Sequence, residues 1–318
     1  MGENGYVPVK EVWSKRQIAR LPEWIREDVD NAYFVDKARK VIRVSNGKKY
    51  HIDNKLNDLS EDEWISFLNS VLITKYPFSG KEGYAYHIRK IHPSPKPPQL
   101  MRRIIEFFTK RNEWVLDYFM GVGGTLLGAS LCGRKALGID LCEKYIDAYE
   151  KAVKELNLEI QPTLQGDSTE ILKNPKPIKD VVKDGKFSLV LIDPPYGDML
   201  SRPRKGGVAT PFTDLKEDLG NMSWSEFREV FYESVVNATK LLKDGGHVVI
   251  FMRDLQPEGK NLNLRHCDLI DDLNAVDNLF YLGTKIWIDQ NVSLRPYGYP
   301  YRYVSNQTHQ YILIFQKR

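Results

Sequence analysis

Residues 189–197 read Leu-Val-Leu-Ile-Asp-Pro-Pro-Tyr-Gly. The apolar run Leu189 to Ile192 suits a buried strand. Two prolines stiffen the backbone that follows, so the strand ends in a rigid turn. That turn presents the Asp193 carboxylate, the Pro194 carbonyl and the Tyr196 ring. An exocyclic amino group on a planar base calls for such a set. Two acceptors hold its two hydrogens, and a ring stacks on its face. By itself, the tetrapeptide is also what a tight turn requires.

Two segments upstream extend this reading. Residues 114–125 read WVLDYFMGVGGT and residues 135–141 read KALGIDL. The first is an apolar strand, then a glycine turn, then a helix-like stretch from Thr125 to Cys132. Gly121, Gly123 and Gly124 let the backbone turn tightly and approach a ligand closely. The second is a strand ending in Asp140, whose carboxylate can accept from a ribose diol. The spacing is not G-x-G-x-x-G and no G-K-[ST] follows, which disfavours NAD and ATP. Residues 92–108, HPSPKPPQLMRRIIEFF, form a proline-stiffened lead-in to a helix with Leu100, Ile104, Ile105 and Phe108 on its core stripe.

Asp193-Pro194-Pro195-Tyr196 resembles motif IV of the DNA amino-methyltransferases, which methylate adenine N6 or cytosine N4. WVLDYFMGVGGT resembles their motif I, usually DPFMGSGT; Tyr118 replaces the proline and Val122-Gly123-Gly124 replaces Ser-Gly. The 92–108 segment resembles their motif X, H-P-x-x-K-P-x-x-L, matched at His92, Pro93, Lys96, Pro97 and Leu100. HQYILIFQK, at 309–317, resembles their closing strand HEYILVF. The order X, I, IV resembles the gamma arrangement.

The resemblance implies S-adenosylmethionine (SAM) as cofactor and a Rossmann-like SAM-dependent methyltransferase fold. Lys96 and Pro97 would meet its methionine part. Asp117, Phe119, Gly121, Gly123, Gly124 and Thr125 would form the turn beside it. Asp140 would take the ribose, and Asp167 the adenine. Asp193, Pro194, Pro195 and Tyr196 would be the catalytic residues. Adenine N6 is favoured over cytosine N4 because the tetrapeptide begins with Asp. An RNA or tRNA base amino-methyltransferase, or a non-catalytic nucleic-acid-binding partner, are the alternatives. The gamma arrangement expects a recognition domain after motif IV, so recognition is expected instead from the N-terminal region, inserted loops or another chain.

The rest of the chain fits an α/β architecture. Strands are expected at Trp114–Tyr118, Ala136–Asp140, up to Asp167, before Asp193, at His247–Met252, Leu282–Ile288 and Gln310–Gln316. Helices are expected at Glu143–Leu156 and, from the capping box Ser223-x-x-Glu226, at Trp224–Leu242. Ser168 is expected to cap a short helix. Alternating strands and helices imply a mostly parallel, seven-stranded sheet with ligands at the strand C-termini. Residues 86–318 would form this methyltransferase domain and residues 1–85 a small α+β region. Within the latter, Val41–Val44, Asn46-Gly47 and Lys49–Ile52 predict a hairpin with a type I′ turn. Ser60-x-x-Glu63 predicts a helix with Trp64, Phe67, Leu68, Val71 and Leu72 inward. That region would serve target recognition, or cover the sheet or a dimer contact.

At 318 residues with 42% hydrophobic content, the chain can bury a sizeable core. The net charge of +4 does not itself announce a polyanion partner. Its distribution says more: residues 37–55 and 86–111 each hold seven Lys or Arg against a single acid. Such clusters suit duplex DNA, or a solvated face. Arg202, Arg204 and Lys205 lie in a long loop after the catalytic turn. Arg295, Tyr297 and Tyr299 belong to RPYGYPYRY at 295–303, which suits a flipped base or packs as a lid. Cys132, Cys142 and Cys267 show neither metal spacing nor a disulfide framework, so no metal and a reducing cytoplasm are expected. No apolar run is long enough to cross a membrane. A cognate restriction enzyme is a possible partner, and the chain is expected to act as a monomer or homodimer.

Overall fold

The computed structural model describes residues 6–198, 203–204, 207–208 and 212–318. The chain forms two compact units. Residues up to Asn69 with Glu106–Asn112 make one, and Ser70–Ile105 with Glu113–Arg318 make the other.

The first unit is a small α+β body. Strands β1 (Val7–Pro8), β2 (Tyr33–Phe34), β3 (Val41–Arg43) and β4 (Lys49–His51) form an antiparallel sheet in that order. Helices α1 (Val9–Val12), α2 (Lys15–Ile18) and α3 (Glu23–Arg26) are single turns. Val9, Ile25, Phe34, Ile42 and Tyr50 are its core. The hairpin is present, but its turn is not type I′. Only Gly47 has a positive φ (88°), and the Gly47 amide donates to the Val44 carbonyl at 3.0 Å. The Val44 amide pairs with the Lys48 carbonyl, so the loop is three residues long and needs only its last in the left-handed region. Helix α4 (Glu61–Leu68) starts at the expected Ser60–Glu63 capping box. Phe67 is its buried residue, stacked on Phe107 at 3.9 Å, while Leu68 is exposed.

Val71 and Leu72 are not on that helix. They begin β5 (Val71–Thr74), which pairs in parallel with Ile286–Asp289 in the second unit's sheet. This pairing moves the unit boundary from the expected 85 back to 69, and it gives the sheet an eighth strand.

The second unit contains α5 (Tyr86–Arg89) and α6 (Pro98–Phe108), whose residues from Glu106 on belong to the first unit. Then strands and helices alternate: β6 (Trp114–Asp117), α7 (Gly124–Leu131), β7 (Lys135–Asp140), α8 (Glu143–Leu156), β8 (Thr163–Gln165), α9 (Ser168–Lys173), α10 (Lys176–Val181) and β9 (Phe187–Ile192). Two short strands, β10 (Pro203–Arg204) and β11 (Gly207–Val208), pair with each other. Helix α11 (Trp224–Leu241), β12 (Leu242–Met252), α12 (Arg265–Asn274), β13 (Leu279–Asp289) and β14 (His309–Lys317) complete it. Lys243–Gly246 are an irregular entry into β12, where the register against β9 shifts between Leu242 and His247.

Among the described residues the sheet order is β5-β13-β14-β12-β9-β6-β7-β8, and only β14 runs against the rest. This is a Rossmann-like, mostly parallel sheet with an added edge strand. All six residues of β9 are buried, as a strand covered on both faces must be. From β6 the chain builds outward to β8, and from β9 it builds the other way. The switch lies between β6 and β9, which opens a crevice at their C-terminal ends.

Candidate active site

The crevice is a cleft of about 280 Å³, near the lower end for small-molecule sites. Asp117 ends β6, Asp140 ends β7 and Asp193 follows β9, and all three line it. Lys96, Phe119, Gly121, Gly124, Thr125, Asp167, Pro194, Pro195 and Tyr196 line it too.

Asp140 ties the glycine turn to its strand. Its Oδ2 accepts from the Gly121 amide and its Oδ1 from the Cys142 amide, each at 2.8 Å. Each oxygen keeps a lone pair for a further donor. Burial pushes this carboxyl up to about 6, against the backbone amides that hold it down. Asp117 accepts from the Phe119 amide at 3.1 Å, and full burial pushes it up to about 7. His92 is pushed down to about 4 by burial, so its imidazole is neutral at pH 7. It stacks on Phe212 at 4.9 Å, closing one wall of the cleft.

The glycines serve packing before they serve any ligand. A Cβ on Gly123 would stand 2.2 Å from the Tyr149 ring, and one on Gly124 2.7 Å from the Lys96 carbonyl. Gly123 and Pro97 are not cleft-lining residues. Pro97 opens α6, accepting from the Leu100 and Met101 amides. Asp167, not Ser168, caps α9: its Oδ1 accepts from the Thr169 amide at 2.8 Å and the Thr169 hydroxyl at 2.7 Å.

Around Asp193 the contacts differ from expectation. Lys96 is 7% exposed, and its Nζ donates to Asp193 Oδ2 at 2.5 Å. The Tyr196 hydroxyl donates to Asp193 Oδ1. Burial, then the Asp193 charge, raises that phenol well above the usual tyrosine range, so it stays a donor.

One residue at the centre was not read from the sequence. Arg265, 1% exposed, opens α12 and donates to the Tyr196 carbonyl and the Asp198 carboxylate. Its guanidinium lies 4.4 Å from the centre of the Trp224 ring. The available signal was a contrary one: a cation in the first turn of a helix opposes the helix dipole. Arg253 and Gln310 also line the cleft unforeseen.

Arg202 and Lys205 fall outside the described residues, and only the backbone of Arg204 is described, in β10. Arg295, Tyr297 and Tyr299 are exposed and do not line the cleft. Arg295 and Asn306 clamp the base of their loop through two hydrogen bonds of 2.8 Å. Cleft-lining Arg253 donates to the Gln307 carbonyl, so the loop is rooted at the cleft.

The family model of the N6/N4 methyltransferases, described as DNA methylase, matches residues 4–151. The type II methyltransferase M.HinfI of Haemophilus influenzae is 38% identical over 84 residues, 23% of either chain. M2.DpnII of Streptococcus pneumoniae is 38% identical over 66 residues, 21% of this chain and 25% of its own. Over these residues the chain is similar to the N6/N4 methyltransferases. A tRNA (guanine(10)-N2)-dimethyltransferase of Pyrococcus abyssi is 25% identical over 169 residues, 53% of this chain and 44% of the relative. The matches span under half the length of these relatives. Among solved structures, TrmN from Thermus thermophilus aligns with a TM-score of 0.48 at 14% identity, over 74% of this chain and 52% of its own.

The cofactor of an N6/N4 methyltransferase is SAM, and the cleft's donor set fits it. Asp140 offers acceptors to a diol. Met120, Leu141 and Leu219 offer apolar wall to a purine. The Lys96 ammonium offers a partner to a carboxylate.

Proposed function

We propose that this protein transfers a methyl group from SAM to the exocyclic amino group of a base in DNA, adenine N6 first. One observation carries the reading: Asp193 opens into the same cleft as Asp140, on strands β9 and β7 that flank β6, so a base and a nucleoside cofactor could meet there.

The chemistry follows from the residues. An aromatic amino nitrogen is a poor nucleophile because its lone pair is delocalised into the ring. Asp193 and the Pro194 carbonyl would accept its two hydrogens and favour a pyramidal nitrogen. SAM, when bound, supplies a methyl group on a positively charged sulfur. Asp193 is the nearest base for the proton that the alkylated nitrogen must lose. Tyr196 holds the Asp193 carboxylate, and Arg265 holds the turn that carries both. Catalysis would rest on positioning and electrostatics. A stacked base cannot enter a cleft of this kind, so a duplex target must be extruded. The Arg295–Tyr299 loop, rooted at the cleft, would then meet the strand around it.

A second reading, an amino group in RNA, is favoured by the 169-residue similarity to a tRNA dimethyltransferase. The test is transfer of a labelled methyl group from SAM to duplex DNA and to tRNA, followed by nucleoside analysis. The DNA reading expects label in N6-methyldeoxyadenosine. Label in a methylated guanosine would establish the second reading, and label in neither nucleic acid would end both.

A further inference from the structure

Lys96 is built so that only its side-chain end can move. Its carbonyl accepts from Arg89 Nη1 at 3.0 Å, and Gly124 packs directly against the same carbonyl. Pro95 and Pro97 stiffen the chain on either side. The ammonium projects into apolar surroundings, 5.1 Å from the Phe251 ring centre and 5.8 Å from that of Trp287. There it pairs with Asp193 Oδ2, while Tyr196 occupies Oδ1.

This arrangement is poor for the reaction. A carboxylate already paired with an ammonium is a weakened acceptor for a base amino group. A positive charge beside it also opposes the positive charge that grows on the attacking nitrogen. Yet a buried ammonium does not leave a carboxylate for bare apolar wall, because an unpaired buried charge is costly. It leaves for another anion.

We propose that Lys96 is a positioning residue with two alternating anionic partners: Asp193, and the carboxylate at the amino-acid end of SAM. Cofactor binding then draws Lys96 away and frees Asp193 to receive the base. The cofactor precedes the nucleic acid because the two sites share one lysine. This inference rests on the proposed function, and it makes a claim about binding that needs no turnover.

The experiment is calorimetry with two ligands, sinefungin, which carries the amino-acid carboxylate, and 5′-methylthioadenosine, which lacks it. Asp193→Asn releases Lys96 in advance. It should tighten sinefungin by about tenfold, the size of one charge-assisted hydrogen bond, and leave methylthioadenosine unchanged. In the Lys96→Met background the same Asp193 change should move sinefungin less than about twofold. Lys96→Arg should retain most of the preference for sinefungin. Thermal unfolding of each variant identifies any that fails to fold, and the single variants then decide. Unchanged or weaker sinefungin binding in Asp193→Asn overturns the inference. So does a gain that persists in Lys96→Met, because it would reflect only the removal of repulsion between two carboxylates. Methyl transfer to a nucleic acid with no such coupling would sink this inference alone. Absence of any methyl transfer would sink the proposed function instead.

Discussion

Replacing Arg265 should separate what holds the catalytic turn from what holds the cofactor. Its guanidinium donates to the Tyr196 carbonyl and to Asp198, and lies over Trp224. The bond to the part-buried Tyr196 carbonyl is charge-assisted, worth about 1.5–3 kcal/mol. The Asp198 pair is discounted to about 1 kcal/mol, because that carboxylate is 35% exposed. The ring contact contributes about 1 kcal/mol. These groups are neighbours and not additive, so Arg265→Met should cost roughly 3 kcal/mol. At about 2–4 °C for each kcal/mol in a unit of this size, the melting temperature should fall by about 10 °C. The consequence for chemistry is larger, because a displacement of ~1 Å in a reacting group can cost ~10²-fold. Single-turnover methyl transfer should therefore drop about 100-fold below the melting transition, with 5′-methylthioadenosine affinity near wild type, since Asp140 hangs from β7 rather than from the turn. Arg265→Lys should fall between. If Arg265→Met melts early yet transfers methyl groups within about threefold of wild type, the arginine is a structural prop only, and the geometric argument fails.

Three further outcomes are expected. Asp193→Ala should lower methyl transfer by more than ~10²-fold, the usual loss for a group that stabilises the transition state; single-turnover assays that keep a tenth of wild-type rate would remove it from the chemistry. Asp117 titrates near 7 in the folded chain against 3.8 when unfolded, so the folded state holds the extra proton between those values. Its stabilising contribution is whole below about pH 4 and is lost as the pH rises through 7, so Asp117→Asn should raise the melting temperature at pH 8 and change it little at pH 4; equal shifts at both would refute the assignment. Lys48 and Lys49 pair with Glu63 at 2.8 Å and Glu61 at 3.4 Å. Neutralising both should leave duplex affinity and its salt dependence unchanged, whereas a slope shallower by about 0.9 per lysine would make them phosphate contacts.

Local rules made much of this molecule legible. Both capping boxes stand where Ser60 and Ser223 announce them, and α8 runs from Glu143 to Leu156 as its stripe requires. Asp117, Asp140 and Asp193 share a cleft because each ends an apolar run, and parallel strands bring such ends together. What could not be read depends on distance along the chain. Val71–Leu72 look like the last turn of a helix until Ile286 and Trp287 arrive to pair with them. Lys48 and Lys49 look unpaired until α4 supplies Glu63 and Glu61. Arg265 has no local reason to touch a turn 69 residues earlier. Lys96, expected beside the methionine part of the cofactor, pairs with Asp193, 97 residues further along the chain.

The reversed strand β14 has a consequence for how the molecule is made. It lies between β12 and β13, both earlier in sequence, and pairs with each along most of its length. β13 therefore has no route into the sheet until β14 has emerged, and β5, more than 200 residues upstream, must wait for β13. Closing so long a loop is slow more than it is costly. During synthesis the segment Val71–Thr74 would stand as an unpaired apolar edge, a demand on chaperones that the finished sheet does not reveal.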